Sequence, residues 1–407
     1  MSVTLEQIQS AASILKGKIA RTPFLHSLAL SRMFDTNIHI KHENLQPTHS
    51  FKVRGARVKM ETLSPQQRDS GVVTMSAGNH AQAVAFHGRE MDVSVNLVMP
   101  EGTPSVKLLG CQEMGAEVVL SGETIADAQV VAEDIAHKQN KILVHPYDDD
   151  SIIAGQGTVA LEMLEDRPDL DTIIVPIGGG GLIGGVATAA KALRSDIRII
   201  GVEAESFPSM HAAINNTKAA CGGRTIGEGI AVKNVTARTV DIARRYVDDI
   251  ILVSETNLED AIVAFLDQHK SIAEGAGAAG LAAVLAHPQR FAGRNIGIIL
   301  CGGNIDSRVL NSVVSRKLAR LQRIIRLHVE IMDQPGALAS VASIISQTRG
   351  NILEVLHHRL LLDLPAKQAS LDLMIETQGP RHAATIIGSL NEAGFPTTHI
   401  DQKHSHE

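Results

Sequence analysis

The stretch Thr48-His49-Ser50-Phe51-Lys52-Val53-Arg54-Gly55-Ala56 sets one lysine among small and apolar neighbours, which suggests a buried amine rather than a surface charge. A lysine at its reference pKa of about 10.4 is protonated and not nucleophilic at neutral pH. Desolvation, or a neighbouring cation such as Arg54, can lower that value until the amine condenses with a carbonyl as a Schiff base. The plain alternative is a surface lysine on a loop, the commoner case for a lysine taken at random.

Three further segments weigh against the plain case. The apolar run Thr172–Pro176 leads into Gly178-Gly179-Gly180-Gly181, and Leu182 to Ala190 then reads as a helix. Consecutive glycines let backbone N–H groups approach an anion, and the helix start adds its positive dipole end, so a phosphate is the expected guest. A tight turn from strand to helix is the competing reading, although one or two glycines would suffice for it. The order lacks the Gly-Lys-Ser/Thr ending of a nucleotide P-loop and the spacing of a dinucleotide fingerprint. The second segment is Ser76-Ala77-Gly78-Asn79-His80, after the apolar run Val72–Met75 and before a small-residue helix from Ala81. It offers hydroxyl, amide and N–H donors at a helix start, which suits a carboxylate, while Asn79 could instead simply cap the helix. The third is Ile298-Ile299-Leu300-Cys301-Gly302-Gly303-Asn304, in which Cys301 ends a strand, the usual place for ligand contacts in open α/β sheets.

Taken together, these segments resemble the pyridoxal-phosphate (PLP) enzymes of fold type II, the tryptophan-synthase β-like group, and within them the threonine dehydratases. The likeness runs from about Leu5 to about Leu318. It implies an α/β fold of two open parallel subdomains, with a smaller mobile one at about 51–147. By resemblance, Lys52 carries the cofactor and acts as the catalytic base, with Phe51 near the ring. The loop Ser76, Ala77, Gly78, Asn79 and His80 binds the substrate carboxylate, and Asn79 also contacts the cofactor hydroxyl. Gly178, Gly179, Gly180, Gly181 and Leu182 hold the phosphate, and Cys301 faces the pyridine nitrogen. The implied reaction is loss of the β-hydroxyl from L-threonine, giving 2-oxobutanoate and ammonia, with serine to pyruvate as a side activity. Serine racemase and hydroxyaspartate dehydratase are the enzymatic rivals. Similar racemases have a serine as proton donor where this chain has Ala77. A non-catalytic amino-acid sensor is the rival of another class, and intact Lys52 and Asn79 speak against it.

Composition respects this reading. With 407 residues and 44% hydrophobic content, the chain can hold two or three cored units. A net charge of −6 without a long basic run argues against a nucleic-acid surface. No apolar run reaches about 18 residues, so no membrane span is expected. The start reads as a helix capped by Thr4 and Gln7 rather than as a signal peptide. Cys111, Cys221 and Cys301 are too few and too scattered for a disulfide framework or zinc cluster, and a reducing cytoplasm is the expected compartment. Among relatives that hold a divalent cation, Glu203 matches one acidic position, but Phe207 and Ser209 follow it, so no metal site is expected. Glu228 and Glu274 could approach the cofactor or serve as helix-start acids.

Past about residue 320 the pattern changes. Leu310–Arg323 reads as a basic connecting helix. Alternation at Leu327, Val329 and Ile331, a turn, and helical spacing through Leu338, Val341 and Ile345 follow; two strands, a helix stopped by Gly394 and a last strand complete a βαββαβ ferredoxin-like unit. Its turn Asp333, Gln334, Pro335, Gly336, Ala337 and Leu338 resembles that of an ACT domain, which implies amino-acid sensing. The expected division is a catalytic part at 1–322 and a regulatory part at 323–407, in a homodimer or homotetramer that takes an amino-acid substrate and an amino-acid effector.

Overall fold

The opening helix, Leu5–Leu15, begins with the expected reciprocal cap: the Gln7 N–H donates to the Thr4 hydroxyl and the Thr4 N–H to the Gln7 side chain. The computed structural model describes residues 3–359, 365 and 367–400. Met1 and Ser2 of the start, and 401–407 of the C-terminal unit, lie outside the described residues.

In chain order the strands are β1 Phe24–His26, β2 Asn37–His42, β3 Val72–Met75, β4 Val95–Met99, β5 Glu117–Leu120, β6 Ile142–Leu143, β7 Thr172–Pro176, β8 Arg198–Ala204, β9 Asp249–Val253, β10 Asn295–Leu300, β11 Ile324–Met332, β12 Asn351–His358, β13 Gln368–Glu376 and β14 Thr397–His399. They form three sheets. The larger parallel sheet runs β1-β2-β10-β7-β8-β9, with β1 antiparallel at its edge. The smaller one runs β5-β4-β3-β6 and is parallel throughout. Because β3 to β6 fall between β2 and β7 in sequence, the smaller sheet is an insertion into the larger. Its central strands, and β7, are buried at every position, which is why they read as unbroken apolar runs. β6 is short: it pairs with β3 at Ile142 and Leu143, both half-buried, and the buried Val144 follows it.

The chain divides into two compact units, Met1–Asp306 and Ser307–Glu407. The basic helix spans Ser307–Arg320 and groups with the second unit. Its polar opening residues Ser307 and Arg308 conceal that first turn from a reading based on apolar spacing. The second unit holds the antiparallel sheet β12-β13-β11-β14, with helices Ala337–Gln347 and Pro380–Glu392 as crossovers. This is the ferredoxin-like βαββαβ order. Ile325, Leu327, Val329 and Ile331 form its core with Val341, Ile345, Ile386 and Leu390.

Helix Lys52–Glu61 packs on helix Asp150–Asp166, and that in turn on helix Gly181–Leu193, at backbone contact distance. A Cβ on Gly55 would lie 2.4 Å from Gln156 Nε2, and one on Gly185 would lie 2.3 Å from the Ile153 carbonyl oxygen and 2.5 Å from the Gly157 nitrogen. The second clash is with backbone that cannot swing aside. Gly185→Ala should therefore lower stability by about 1–3 kcal/mol, as overpacking does. Gly388→Ala, with nothing within 4 Å of its added methyl in the middle of a helix, should be neutral or stabilising by up to about 1 kcal/mol. Urea unfolding midpoints of the two variants check the pair.

Candidate active site

Lys52 opens its helix between a β-bridge and the smaller sheet. Ser50 pairs with Gly302, and the Phe51 N–H donates to the Cys301 carbonyl at 3.0 Å, so the start of the Lys52 helix is tied to the end of β10. The lysine side chain keeps a partly exposed surface, but its amine is enclosed, donating to the Pro146 carbonyl at 2.9 Å and standing 5.2 Å from the Phe51 ring centre. Burial pushes this amine down to about 8, while the nearby Cys301 and Glu274 groups pull the other way. Arg54 is not a cause of that shift, contrary to expectation. Its guanidinium, fully buried, is turned to Glu43 and Glu162 instead, with contacts of 2.7 Å to each and a further bond of 3.0 Å to the Thr158 hydroxyl. Lys41 closes the cluster through Glu162 at 2.5 Å. Two cations thus meet two carboxylates, and no net charge is left to act on Lys52.

Asn79 does not cap its helix. Gly78 occupies the N-cap of Asn79–Met91, with no side-chain cap. The Asn79 amide instead joins a polar chain: it donates to Glu274 Oε1 at 2.7 Å and accepts from Asn304 at 2.8 Å. Asn304 also donates to Gln82 and to the Thr48 carbonyl. Burial pushes the Glu274 carboxyl up to about 7 against the pull of the Asn79 bond. Burial also raises the Cys301 thiol well above its ordinary value, so it stands as a neutral group at the end of β10. Within the loop, the Ser76 hydroxyl accepts from the Gly78 N–H at 3.2 Å. Ala77 packs on the apolar core of the smaller sheet. His80 Nε2 lies 3.0 Å from the Val144 carbonyl, and since a carbonyl only accepts, that nitrogen carries the proton. Burial first, then the Lys52 charge, pushes this imidazole down to about 3.

The glycine loop has a tighter explanation than the sequence offers. A Cβ on Gly179 would lie 2.2 Å from the Tyr147 ring, one on Gly178 2.7 Å from the Gly229 carbonyl oxygen, and Gly180 has φ +94°. Protein neighbours alone therefore require glycine at these positions. Gly180 caps Gly181–Leu193 with no side-chain bond, as Gly78 does Asn79–Met91, which leaves the first N–H groups of both helices without a side-chain partner at the cap. Leu182 is buried behind the loop. Asn304, Gln82 and Tyr147 have no local signature as site residues. Asn304 alone could have been noticed, because it follows the glycines after β10.

The description "Pyridoxal-phosphate dependent enzyme" matches residues 15–302. The chain belongs to this family. It is 38% identical over 395 residues to an L-threonine ammonia-lyase of Thermotoga maritima, covering 97% of this chain and 98% of that one. It is 39% identical to the catabolic L-threonine dehydratase of Escherichia coli K12, covering 76% of this chain and 95% of that protein. Among solved structures, a maize serine racemase superimposes with a TM-score of 0.73 at 33% identity, covering 79% of this chain and 99% of that one. The fold is accordingly that of the fold type II PLP enzymes, and the cofactor is pyridoxal phosphate. Glu203, the acid that matches a cation ligand in some relatives, accepts here from the Met210 and His211 N–H groups at 2.7 and 2.8 Å, and burial raises it to about 7. No helix among the described residues is long and apolar enough to cross a membrane.

Enclosure of Lys52 has a measurable cost. The unfolded chain holds a proton on this amine up to about 10.4 whereas the folded chain releases it near 8, so stability rises with pH between these values. Below 8 the destabilisation is complete. Cofactor-free Lys52→Met should exceed wild type at pH 7 by up to about 3 kcal/mol, less for the residual exposure of the side chain, with the gap closing toward pH 10. Urea unfolding of both proteins across this pH range checks it.

Proposed function

We propose that this chain deaminates L-threonine to 2-oxobutanoate and ammonia, with L-serine to pyruvate as a side activity. The observation that carries the reading is the desolvated Lys52 amine, pushed down to about 8 beside a neutral Cys301 thiol. Likeness to the Thermotoga maritima threonine ammonia-lyase along nearly the whole chain supports it. The residues fit the cofactor: an amine whose hydrogen bond goes to a backbone carbonyl, and a helix start without a side-chain cap where the phosphate would bind. When bound, pyridoxal phosphate supplies an electron sink for a carbanion at the substrate Cα.

Lys52 is assigned as the group that carries the cofactor and then takes the Cα proton, for which a value near operating pH is well matched. Gly178 to Gly181 with Leu182 would hold the phosphate. Ser76 to His80, at a helix start with no side-chain cap, would hold the substrate carboxylate. Phe51 is assigned to the cofactor ring, and Asn79 to its hydroxyl. Cys301 is assigned to the ring nitrogen, to which its neutral thiol would offer no compensating negative charge. Segment 51–147, which contains the inserted sheet, is assigned as a mobile subdomain. The free, largely buried cysteines fit a cytoplasmic enzyme.

Lys52→Ala should abolish ammonia release from L-threonine, by about 10³-fold or more, while leaving far-ultraviolet circular dichroism unchanged. Wild-type turnover in that variant would remove the lysine from its role. The maize serine racemase likeness favours a second reading, racemisation. A methyl cannot deliver a proton, and Ala77 is a methyl. L-serine should therefore give pyruvate and negligible D-serine by chiral chromatography.

The second unit we read as an ACT-like regulatory domain. A groove of about 460 Å³ is lined by Gln334, Pro335, Gly336, Ala337, Ser340 and Phe395, among others, next to the Asp333–Leu338 turn. The Escherichia coli relative matches only 76% of this chain at 95% of its own length, which supports a separable accessory unit. Isoleucine or valine is the expected effector. Titrated against turnover, one of them should shift the half-saturating threonine concentration about 5- to 150-fold, and Ser340→Trp, which fills the groove, should erase that response. An unchanged response in the variant would remove the groove from the regulatory reading.

A further inference from the structure

We propose that Lys107 and Glu228 form a clasp that draws the smaller sheet against the larger one and sets how tightly the Lys52 cleft closes. The inference rests on the reading of that cleft as the active site. Lys107 stands on helix Ser105–Glu113, between β4 and β5 of the smaller sheet. Glu228 opens the short turn Glu228–Ile230, between β8 and β9 of the larger one. Distant in sequence, they meet with Lys107 Nζ 2.6 Å from Glu228 Oε2.

The turn that carries Glu228 is built into the floor of the site. The Gly229 carbonyl stands against Gly178, and the Ile226 carbonyl stands against Gly275, next to Glu274. The buried Glu274 carboxyl feels both members of the pair, Lys107 lowering its pKa and Glu228 raising it. The pair therefore lies within electrostatic reach of the chain that orients Asn79. On the other side, the Lys107 helix is lightly anchored. Cys111 is its one buried residue, and Val106 and Leu109 are 76% and 56% exposed. Cys111 and the half-buried Leu108 seat one side of the helix on the core of the smaller sheet, and Lys107 ties the helix across to the larger one.

Exposure fixes the strength of the clasp. Glu228 is 75% exposed and Lys107 30%, so water and salt screen the pair. A weak tie of this kind can open at little cost, whereas a buried pair would resist separation. Closure is thus biased by charge and secured by the bound substrate.

Single reversals Lys107→Glu and Glu228→Lys, and the double swap that restores opposite charges, test this in the full-length, cofactor-loaded protein. Hydrogen exchange of 105–113 and the KM and kcat for L-threonine are read in parallel, at low and high salt. Each single reversal should speed exchange and raise KM by about two- to fivefold, the range an exposed pair supplies, and the double swap should recover both. High salt should move wild type toward the single variants. Singles that match wild type in exchange and KM, or a double swap that recovers neither, would overturn the clasp. If wild type does not turn over threonine, the substrate reading fails, and exchange alone decides the clasp.

Discussion

Arg54 is the fixed point from which the Lys52 helix, and with it the enclosed amine, is held in place. Two residues beyond the lysine and on another side of the same helix, its guanidinium uses Nε, Nη1 and Nη2 to bond Glu43, Glu162 and Thr158. Glu43 follows β2 of the larger sheet and Glu162 lies on helix Asp150–Asp166, so one side chain locks the Lys52 helix to both. Burial alone would raise the Glu43 carboxyl, yet the adjacent Arg54 charge and bonds hold it below its ordinary value. A buried charge cluster of this kind contributes little net stability, because desolvation offsets attraction. Its value is geometric: the planar fork accepts one arrangement, which a lysine in its place could not impose.

Neutralising that cluster has a second consequence. A cation without partners beside Lys52 would have been one route to a low amine pKa, but here the shift comes from desolvation alone. The groups that face the amine oppose it only weakly, since Cys301 and Glu274 are themselves driven toward neutrality by the same burial. Below about pH 8 the amine is therefore the cation of this cluster, facing a thiol held neutral by burial. Helix starts at Asn79 and Gly181, left without side-chain caps, add positive ends.

The motifs carry most of the fold. Unbroken apolar runs at Val72–Met75, Val95–Met99 and Thr172–Pro176 read as parallel strands because strands covered on both faces have no polar side to show. Alternation in β11 shows one covered face and one open face, hence an antiparallel sheet. The loops were visible as well, since glycine and polar residues interrupt these runs at the ends of strands.

What the sequence determined by itself was the inventory: which segments are strands, which loops end on helix starts, and that Lys52 is an enclosed amine rather than a surface charge. Direction of side chains was decided only by the tertiary structure. Arg54 sits next but one to Lys52, so proximity in sequence suggested an electrostatic partner, yet helical geometry turns it away toward Glu43 and Glu162. For Asn79 the sequence left a helix cap open as the alternative to a binding role, and its bonds go to Glu274 and Asn304, residues some two hundred positions away. The four glycines suggested an anion, whereas Tyr147 and Gly229 already exclude side chains from two of them. Each of these outcomes depends on contacts between segments far apart in the chain, and such contacts leave no periodicity or local motif for a sequence to display.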